Sequence, residues 1–374
     1  MLDKIKSLRI MRTLSSVKWA VFCLLALFIL VFAGTVYQAE YGLYLAQERF
    51  FNSFVFLLFG FLPFPGAQLV LWILFVNLTA AAITRFQYKW SKIGLTVIHG
   101  GILLFFISAF VTFYYSFESN LTLNEGESSN VSAAYHNWEI SAWEKATGKK
   151  SVIAYDADHL NSNAVLRFDD LGFSLTVKNY YPNSAAFSES DKKDAVRNSS
   201  GISILEERPV DHDPVKNIPS GKFVLTQANS PSQDIILFGG DMLPTQITAG
   251  AKHYELVLRR KRFELPFAVK LVDFRMTKHP NTEMAKSFES TVEVQTPLAS
   301  REVIISMNNP LRHNDFTFYQ ASYSIGRNGE ETSTLAVVKN KGRVLPYIAT
   351  IVTFLGLVFH FSVSLYRMRA KDPA

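Results

Sequence analysis

Residues 93–113 read IGLTVIHGGILLFFISAFVTF, an apolar run whose only ionisable side chain is His99. Three further stretches, at about 19–37, 66–84 and 345–366, are apolar over a similar length. At about 1.5 Å of rise per residue, a helix of this length matches a hydrocarbon core of roughly 30 Å. The sequence therefore predicts four transmembrane α-helices. An ionisable side chain inside such a helix indicates a functional site, because burying it in lipid is costly.

The apolar residues are segregated along the chain of 374 residues. Residues 1–117 and 345–374 hold the four apolar runs, whereas residues 118–344 have the polar composition of a water-exposed domain. This pattern predicts a three-helix membrane region, a large domain, and then the last helix with a short tail. The segment at about 50–65 is interrupted by prolines, so it is predicted to lie in the membrane interface or to re-enter the membrane.

The short segments between and around the apolar runs differ in their content of Lys and Arg. The N-terminal residues, the loop at 85–92 and the C-terminal tail are rich in Lys and Arg, while the connection between the first two runs carries only Arg49 beside two glutamates. The positive-inside rule predicts cytoplasmic termini and a periplasmic domain at residues 118–344. The net charge of +6 follows largely from this pattern, so the expected surroundings are membrane lipids and not a nucleic acid.

Residues 118–344 alternate apolar and polar side chains over short segments that Gly, Pro and Asn separate. A period of two predicts a mostly-β domain with a sandwich or barrel-like sheet. The predicted strands are Phe173–Tyr180, Tyr254–Leu258, Phe267–Phe274, Phe288–Val294, Glu302–Met307, Phe316–Ala321 and Thr332–Val338. The predicted fold class is therefore a membrane protein with four transmembrane α-helices plus a large mostly-β extracytoplasmic domain inserted between helices 3 and 4.

Cys23, within the first apolar run, is the one cysteine of the chain. The extracytoplasmic domain can therefore contain no disulfide and no metal–thiolate site, and the chain by itself cannot carry out dithiol exchange. The sequence also contains no phosphate-binding loop, nucleophile elbow or carboxylate pair in an acid–base setting. We therefore predict no catalytic residue.

Two histidines lie in the predicted membrane helices, His99 in the third and His360 in the fourth. Each is six residues from the cytoplasmic end of its run, which predicts an equal depth of about 9 Å. Two neutral imidazoles can ligate one haem iron, and Gly100 and Gly101 would let a flat ligand or a neighbouring helix approach closely. The alternative is that each imidazole only hydrogen-bonds to a group on a neighbouring helix.

Three further polar features have simpler interpretations. Asn77 in the second helix is predicted to hydrogen-bond to another helix. The basic run Arg259–Arg262 could contact lipid headgroups or a haem propionate, but a solvated hairpin is the favoured interpretation. The sequence Asp211-His212-Asp213 is interpreted as a solvated turn.

The stretch Ile305–Tyr323 reads ISMNNPLRHNDFTFYQASY and resembles the signature of the ResB family, the System II cytochrome c biogenesis proteins. Further segments are similar to family segments as well: His99–Ile107 running on to LTLNEGE at 121–127, LPFAVKLVDF at 265–274 and KSFESTV at 286–292. Three N-terminal membrane helices, a large exported domain and a final helix match the architecture of that family.

The resemblance implies a membrane subunit of a cytochrome c synthase that binds haem b transiently and helps to deliver it across the bacterial inner membrane to apocytochrome c. It also implies a multi-span partner of the ResC/CcsA type, which carries a tryptophan-rich WWD motif that this chain lacks. The chain would then be a subunit of a haem lyase and not a catalyst alone.

By the same resemblance, His99 corresponds to the family's membrane histidine in the third helix. His360 has no clear family counterpart, and it would be structural if the partner supplied the second iron ligand. Arg85 lies where a haem propionate entering from the cytoplasm would arrive. The alternative function is a membrane-anchored β-domain scaffold or chaperone for an exported client, with no haem ligand of its own.

Overall fold

The chain folds into two compact units, which are described separately. They are Met1–Phe117 with Lys339–Ala374, and Glu118–Val338. The computed structural model describes residues 9–85, 89–145, 151–157, 160–188, 196–228, 230–250, 252–282 and 285–371.

Within the described residues, the first unit consists mainly of α-helices. They are α1 (Arg9–Leu14), α2 (Val17–Ala46), α3 (Ala67–Thr84), α4 (Ile93–Tyr115) and α5 (Leu345–Lys371). The four longer helices are long and apolar enough, by length and composition, to cross a membrane. Helix α2 continues past the predicted run to Ala46, and it bends at Gly42, whose φ of 80° is readily adopted by a residue without a Cβ.

A short β-hairpin occupies the segment between α2 and α3 that was predicted to be interfacial or re-entrant. A π-helical turn at Gln47–Phe51 leads into β1 (Val55–Leu58), which pairs antiparallel with β2 (Leu62–Pro65). The turn between them contains Phe59 and Gly60 at φ 54° and 82°, the left-handed pair that a tight hairpin turn favours. The inner face of the hairpin packs against α2 in an apolar cluster.

The corner between α1 and α2 is held by a side chain of α3. The Asn77 amide nitrogen donates to the Leu14 carbonyl at 2.5 Å and to the Ser16 carbonyl at 2.9 Å. Both carbonyls lie where the helical hydrogen-bond ladder is interrupted, so Asn77 satisfies groups that the break exposes. The predicted interhelical hydrogen bond of Asn77 is confirmed.

The second unit is a mostly-β domain, as predicted. Its strands, some of which extend a few residues beyond the unit, are β3 (Ser116–Asn124), β4 (Ser128–Glu144), β5 (Val152–Asp156), β6 (Val165–Phe168), β7 (Phe173–Tyr181), β8 (Ser184–Phe187), β9 (Ile204–Glu207), β10 (Ser220–Gln227), β11 (Gln233–Phe238), β12 (Thr245–Ala249), β13 (Lys252–Lys278), β14 (Ala285–Gln295), β15 (Ser300–Ser306), β16 (Leu311–His313), β17 (Phe316–Ile325) and β18 (Glu331–Asn340).

The strands of the domain form a ten-stranded sheet, a four-stranded sheet and a small hairpin. The larger sheet has the order β15-β14-β13-β4-β3-β18-β17-β16, with β12 on β13 and β5 on β4, and the smaller one has the order β11-β10-β7-β6. Both sheets contribute to one apolar core, with Phe168, Leu175 and Phe223 from the smaller sheet and Ile140 and Leu256 from the larger one. All five are essentially inaccessible to solvent.

Strand β13 is longer than the sequence indicates. Residues 254–258 and 267–274 were predicted as two strands, and both lie in this single strand of 27 residues. The pairing of β13 with β4 shifts register between Glu264 and Val269, around Pro266. A bulge accommodates proline because the ladder needs no N–H donor there, so the proline bends the strand without ending it.

Candidate functional site

The His99 side chain is partly buried on α4 and bonds to its own helix. Its Nδ1 lies 2.8 Å from the Leu95 carbonyl oxygen. Because a carbonyl oxygen can only accept, Nδ1 carries the proton in this contact, and the lone pair of the neutral ring is then on Nε2. This arrangement of a backbone carbonyl on one ring nitrogen is the one commonly found for histidines that bind a metal through the other nitrogen.

The side of α4 that carries His99 is the side that packs on α3. At 3.6 residues per turn, positions 99, 106 and 110 lie on one face of the helix. Phe110 stacks on Trp72 of α3 with ring centroids 4.1 Å apart, and Phe106 lies 6.0 Å from Phe75. His99 is therefore at the N-terminal end of an aromatic contact between α3 and α4.

Arg85 lies at the same end of this helix pair. Helices α3 and α4 are antiparallel, with Phe110 opposite Trp72 and Phe106 near Phe75. His99 is therefore level with about residue 83, at the C-terminal end of α3. Arg85 caps α3, and its Nε donates to Ser15 Oγ at 3.3 Å. The structure thus brings Arg85 and His99 to a similar level. The sequence did not indicate Ser15 as a partner of Arg85, because 70 residues separate them along the chain.

The glycines beside the histidines hold α4 against α5. A Cβ on Gly94 would lie 2.7 Å from the His360 Cα atom, and a Cβ on Gly101 would lie 2.9 Å from the Thr353 backbone nitrogen. Gly356 on α5 has an equally close contact with the Ile98 backbone nitrogen, at 2.8 Å. By contrast, a Cβ on Gly100 would meet no described atom within 4 Å. Gly101 therefore serves helix packing, whereas Gly100 faces open space.

The same contacts show that His99 and His360 are not at equal depth. Gly94 is opposite His360 and Gly101 is opposite Thr353, so His99 is level with residue 355. The two histidines are then offset by five residues, or about 7.5 Å along the helix axes. The predicted equal depth is wrong, because the glycine contacts and not the ends of the apolar runs set the register.

The two imidazoles also lie on different sides of α4. His360 is in the α4–α5 interface against Gly94, and its ring lies 5.6 Å from that of Phe361. His99 is five residues from Gly94, a rotation of about 140° around the helix axis. Axial ligands must face one iron from opposite sides of a single ring, so this arrangement does not bring His99 and His360 together as a pair of haem ligands.

The basic run Arg259–Arg262 is not a solvated hairpin, because it lies inside the long strand β13. The Arg259 Nε pairs with Glu139 Oε1 at 2.8 Å, and both side chains are largely buried. Arg260 lies 4.1 Å from the centre of the Trp138 ring, and Lys261 pairs with an Asp156 oxygen at 2.7 Å. These local partners make the run a part of the sheet and remove the reason to assign it to a haem propionate.

The Asp211-His212-Asp213 segment is a hydrogen-bonded turn, as interpreted. The Asp213 backbone N–H donates to Asp211 Oδ1 at 2.8 Å, and the Val215 backbone N–H donates to Asp213 Oδ1 at 3.1 Å. Carboxylates that cap their own turn in this way are typical of Asx turns. The geometry gives this segment a structural role.

The motif at 305–323 forms the end of β15, the short strand β16 and the start of β17. Ser306 and Asn309 exchange backbone hydrogen bonds of 3.2 and 3.0 Å around the turn that precedes Pro310. Phe316 and Phe318 are buried in β17, and both rings lie within 6 Å of the Phe267 ring. The motif therefore encodes a turn and a core contact of the domain.

Comparison with known proteins identifies this same region. The pattern of the ResB-like family matches residues 235–344. Protein NrfI of Wolinella succinogenes is 26% identical over 108 residues, which are 28% of this chain and 12% of NrfI. The chain thus spans about an eighth of the relative that it matches. The family match includes the turn and core residues of the motif but neither His99 nor His360. Residues 235–344 are thus similar to the ResB-like family, which confirms the resemblance drawn from the sequence.

Proposed function

We propose that this chain is a membrane subunit of a System II cytochrome c synthase complex. It helps to bind haem b and to deliver it across the membrane for covalent attachment to apocytochrome c. The observation that carries the proposal is the ResB-like match over residues 235–344, joined to four apolar helices in the same chain. Haem is the cargo here, and the chain supplies binding groups to a haem lyase complex instead of a catalytic set of its own.

The proposed location is the bacterial inner membrane, with both termini in the cytoplasm. The distribution of Lys and Arg supports this orientation, since Arg85, Lys89 and Lys92 lie between α3 and α4 and Arg367 and further basic residues follow in the tail. Residues 118–344 are then periplasmic, where cytochrome c receives its haem. The β-rich domain there is placed to meet the apocytochrome or the partner subunit.

His99 is the proposed contact with the haem iron. The hydrogen bond of Nδ1 to the Leu95 carbonyl favours the tautomer whose Nε2 can ligate iron. Gly100 next to it leaves space for the edge of a flat ring. Arg85 lies near the same level and keeps further guanidinium N–H groups beyond the one that bonds Ser15, which a propionate could accept in a bidentate contact.

The second axial ligand is proposed to come from a multi-span partner of the ResC/CcsA type. His360 lies on α5 and packs against Gly94 of α4. This contact is on the other side of α4 from the surface that carries His99. A partner helix beside His99 could supply an imidazole from the required direction. His360 then has a structural role in the α4–α5 pair.

The first prediction tests His99 in the complex of this chain with its multi-span partner. His99→Ala should remove most of the b-type haem absorbance of the purified complex, because the iron loses one axial ligand. The matched control is His360→Ala, which keeps the Cβ that packs on Gly94 and should keep the haem. Added imidazole should restore part of the absorbance to a His99→Gly variant, as expected for a ligand and not for a packing residue.

Two outcomes would change the assignment. Haem absorbance that is unchanged in His99→Ala would show that the iron is ligated elsewhere. If deletion of residues 118–344 abolishes cytochrome c maturation while haem stays bound, the function is instead that of a membrane-anchored scaffold or chaperone, whose β-rich domain holds an exported client. The structural role of the motif residues Phe316 and Phe318 is compatible with that second function.

A further inference from the structure

The chain between Phe50 and Thr84 contains no Asp, Glu, Lys, Arg or His, and its first half forms the β1–β2 hairpin. The tip of the hairpin is unusually exposed for its composition, since Phe59 is 79% and Phe61 is 76% accessible. The side chains of Val55 and Leu57, on the outer face of β1, are exposed as well. A contiguous apolar patch of this kind is unfavourable in water and indicates a surface that contacts something apolar.

The edges of the hairpin carry few unpaired backbone donors. The Gly66 N–H donates to the Phe54 carbonyl at 2.8 Å, and bonded pairs alternate along an antiparallel ladder. The backbone groups of Pro63 and Pro65 therefore point outward, where these residues have no N–H to leave unpaired. On the other strand, the outward Leu57 carbonyl accepts a hydrogen bond of 3.0 Å from the Arg49 guanidinium. The two prolines and the Arg49 contact reduce the number of outward backbone groups that a medium without hydrogen-bonding partners would leave unsatisfied.

Arg49 lies along the outer edge of β1, where it bonds the Leu57 carbonyl. Its guanidinium carbon lies 5.1, 5.7 and 5.8 Å from the ring centres of Tyr37, Phe50 and Phe56. Cation–π contacts of this type let a charged group lie beside aromatic rings at a boundary between apolar and polar surroundings. Arg49 and Glu48 are the last charged residues before the uncharged segment, and Arg49 is the charged group that contacts the hairpin.

The position of the hairpin along α2 indicates its depth. Asn77 of α3 bonds to backbone carbonyls at the start of α2. Ala67, the first residue of α3, is ten residues before Asn77. It therefore lies roughly 15 Å further toward the C-terminal end of α2. Helix α3 therefore begins beside the middle of α2, in the cluster that contains Ala26 and Leu30. The next part of α2 is covered by the segment before the hairpin, because a Cβ on Gly34 would lie 2.8 Å from the Phe51 ring.

We propose that the β1–β2 hairpin re-enters the periplasmic leaflet and contacts lipid acyl chains with Phe59, Phe61 and the outer face of β1. This inference rests on the membrane orientation proposed above. The hairpin covers the half of α2 that α3 does not reach, so hairpin and α3 together line α2 over its apolar length. The hairpin surface is thus expected to contact lipid and not water. No further β-strand is expected to pair with β2, because Pro63 and Pro65 have no outward N–H groups.

The experiment uses single cysteines in the full chain reconstituted into lipid vesicles. Cys23→Ala provides the background, since that side chain is buried and small. Phe59→Cys and Phe61→Cys are compared with Leu298→Cys, whose position in the β-rich domain is 97% accessible. We expect a charged maleimide to label positions 59 and 61 at least an order of magnitude more slowly than position 298, because the reagent does not enter the apolar layer and a thiol there ionises poorly.

A second measurement identifies what protects the hairpin. Bimane attached at position 59 or 61 should be quenched more by phospholipid with a nitroxide on the acyl chain than by phospholipid with a nitroxide on the headgroup. Rapid labelling of all three positions by the charged reagent would overturn the proposal. Protection without quenching by either lipid would also overturn it, since protein would then cover the hairpin. Failure of position 298 alone to react would instead contradict the proposed orientation.

Discussion

Gln320 shows at the scale of one residue what the ResB-like motif encodes. Its side-chain oxygen accepts from Ser290 Oγ at 2.7 Å, and its nitrogen donates to Ser333 Oγ at 3.0 Å. The two serine hydroxyls are 2.8 Å apart, which closes a triangle of buried hydrogen bonds across β14, β17 and β18. The glutamine of the FYQASY sequence therefore joins three strands, and its conspicuous place in the motif needs no catalytic explanation.

We expect Gln320→Met to destabilise the domain by about 1–3 kcal/mol, because the substitution keeps the volume but leaves buried hydroxyl groups with fewer partners. Thermal unfolding of the solubilised chain, followed through its β-sheet circular dichroism, measures the effect. The control is Tyr319→Phe, on the exposed face of the same strand, which should unfold like the unaltered chain. Equal stability of both variants would show that the triangle contributes nothing.

Glu293 should make stability depend on pH. Hydrogen bonds from Gln295 and Ser300 lower the pKa of its carboxyl below the ordinary value. A lowered pKa in the folded state gives a stabilising contribution that is complete above the unfolded-state pKa and is lost as the pH falls through the folded-state pKa. Glu293→Gln should therefore reduce the acid sensitivity of thermal unfolding relative to the unaltered chain. An acid slope identical to that of the unaltered chain would contradict this role.

At the scale of the element, the α4–α5 pair depends on which glycine faces the neighbouring helix. Gly94, Gly101 and Gly356 each lie within contact distance of the other helix backbone. Such close approach is possible only without a Cβ, and the short distance strengthens van der Waals contact between helices. Gly100, the neighbour of Gly101, lies on another face of α4 and does not take part in this contact.

Adjacent alanine substitutions should therefore have opposite effects. Gly101→Ala is expected to cost about 1–3 kcal/mol, because its Cβ overlaps the Thr353 backbone. Gly100→Ala should instead stabilise α4 by up to about 1 kcal/mol through its higher helix propensity. Thermal unfolding of the haem-free solubilised protein compares the two directly. Shifts of the same sign and size would show that α4 and α5 do not pack through Gly101.

At the scale of the whole molecule, the proposed orientation places the first unit in the lipid bilayer and the second in water. The first unit holds the four apolar helices and both termini, and the second is a mostly-β domain with polar loops. Leu298, in the turn between β14 and β15, is 97% accessible, so it reports on the compartment that contains the domain. Basic residues near α1 and at the C-terminal end of α5 should keep both termini on the cytoplasmic side.

This orientation predicts that Leu298→Cys, in the Cys23→Ala background, is labelled by a charged maleimide in cells whose outer membrane alone is permeable. A tag placed after Ala374 should resist protease added to the same cells. The reason is that residues 118–344 and the C-terminus lie on opposite sides of the inner membrane. Labelling of position 298 only after the inner membrane is opened would show that the domain is cytoplasmic.

The features that the sequence by itself determined are those that depend on near neighbours in the chain. Four apolar helices follow from long uncharged runs, and the strands of the β-rich domain follow from alternation over a few residues. The long strand β4 escaped this reasoning because its polar residues hide the alternation, and β13 was divided because Pro266 resembles a strand end. Both strands exist because each pairs with the other.

Only the tertiary structure decided how distant segments meet. It showed that His99 faces α3 while His360 faces Gly94, that Gly101 packs and Gly100 does not, and that Arg259 pairs with a buried glutamate. Each of these depends on register and on the rotation of one element against another. Side-chain contacts set both of these across many residues of intervening chain, so no local pattern in the sequence contains them.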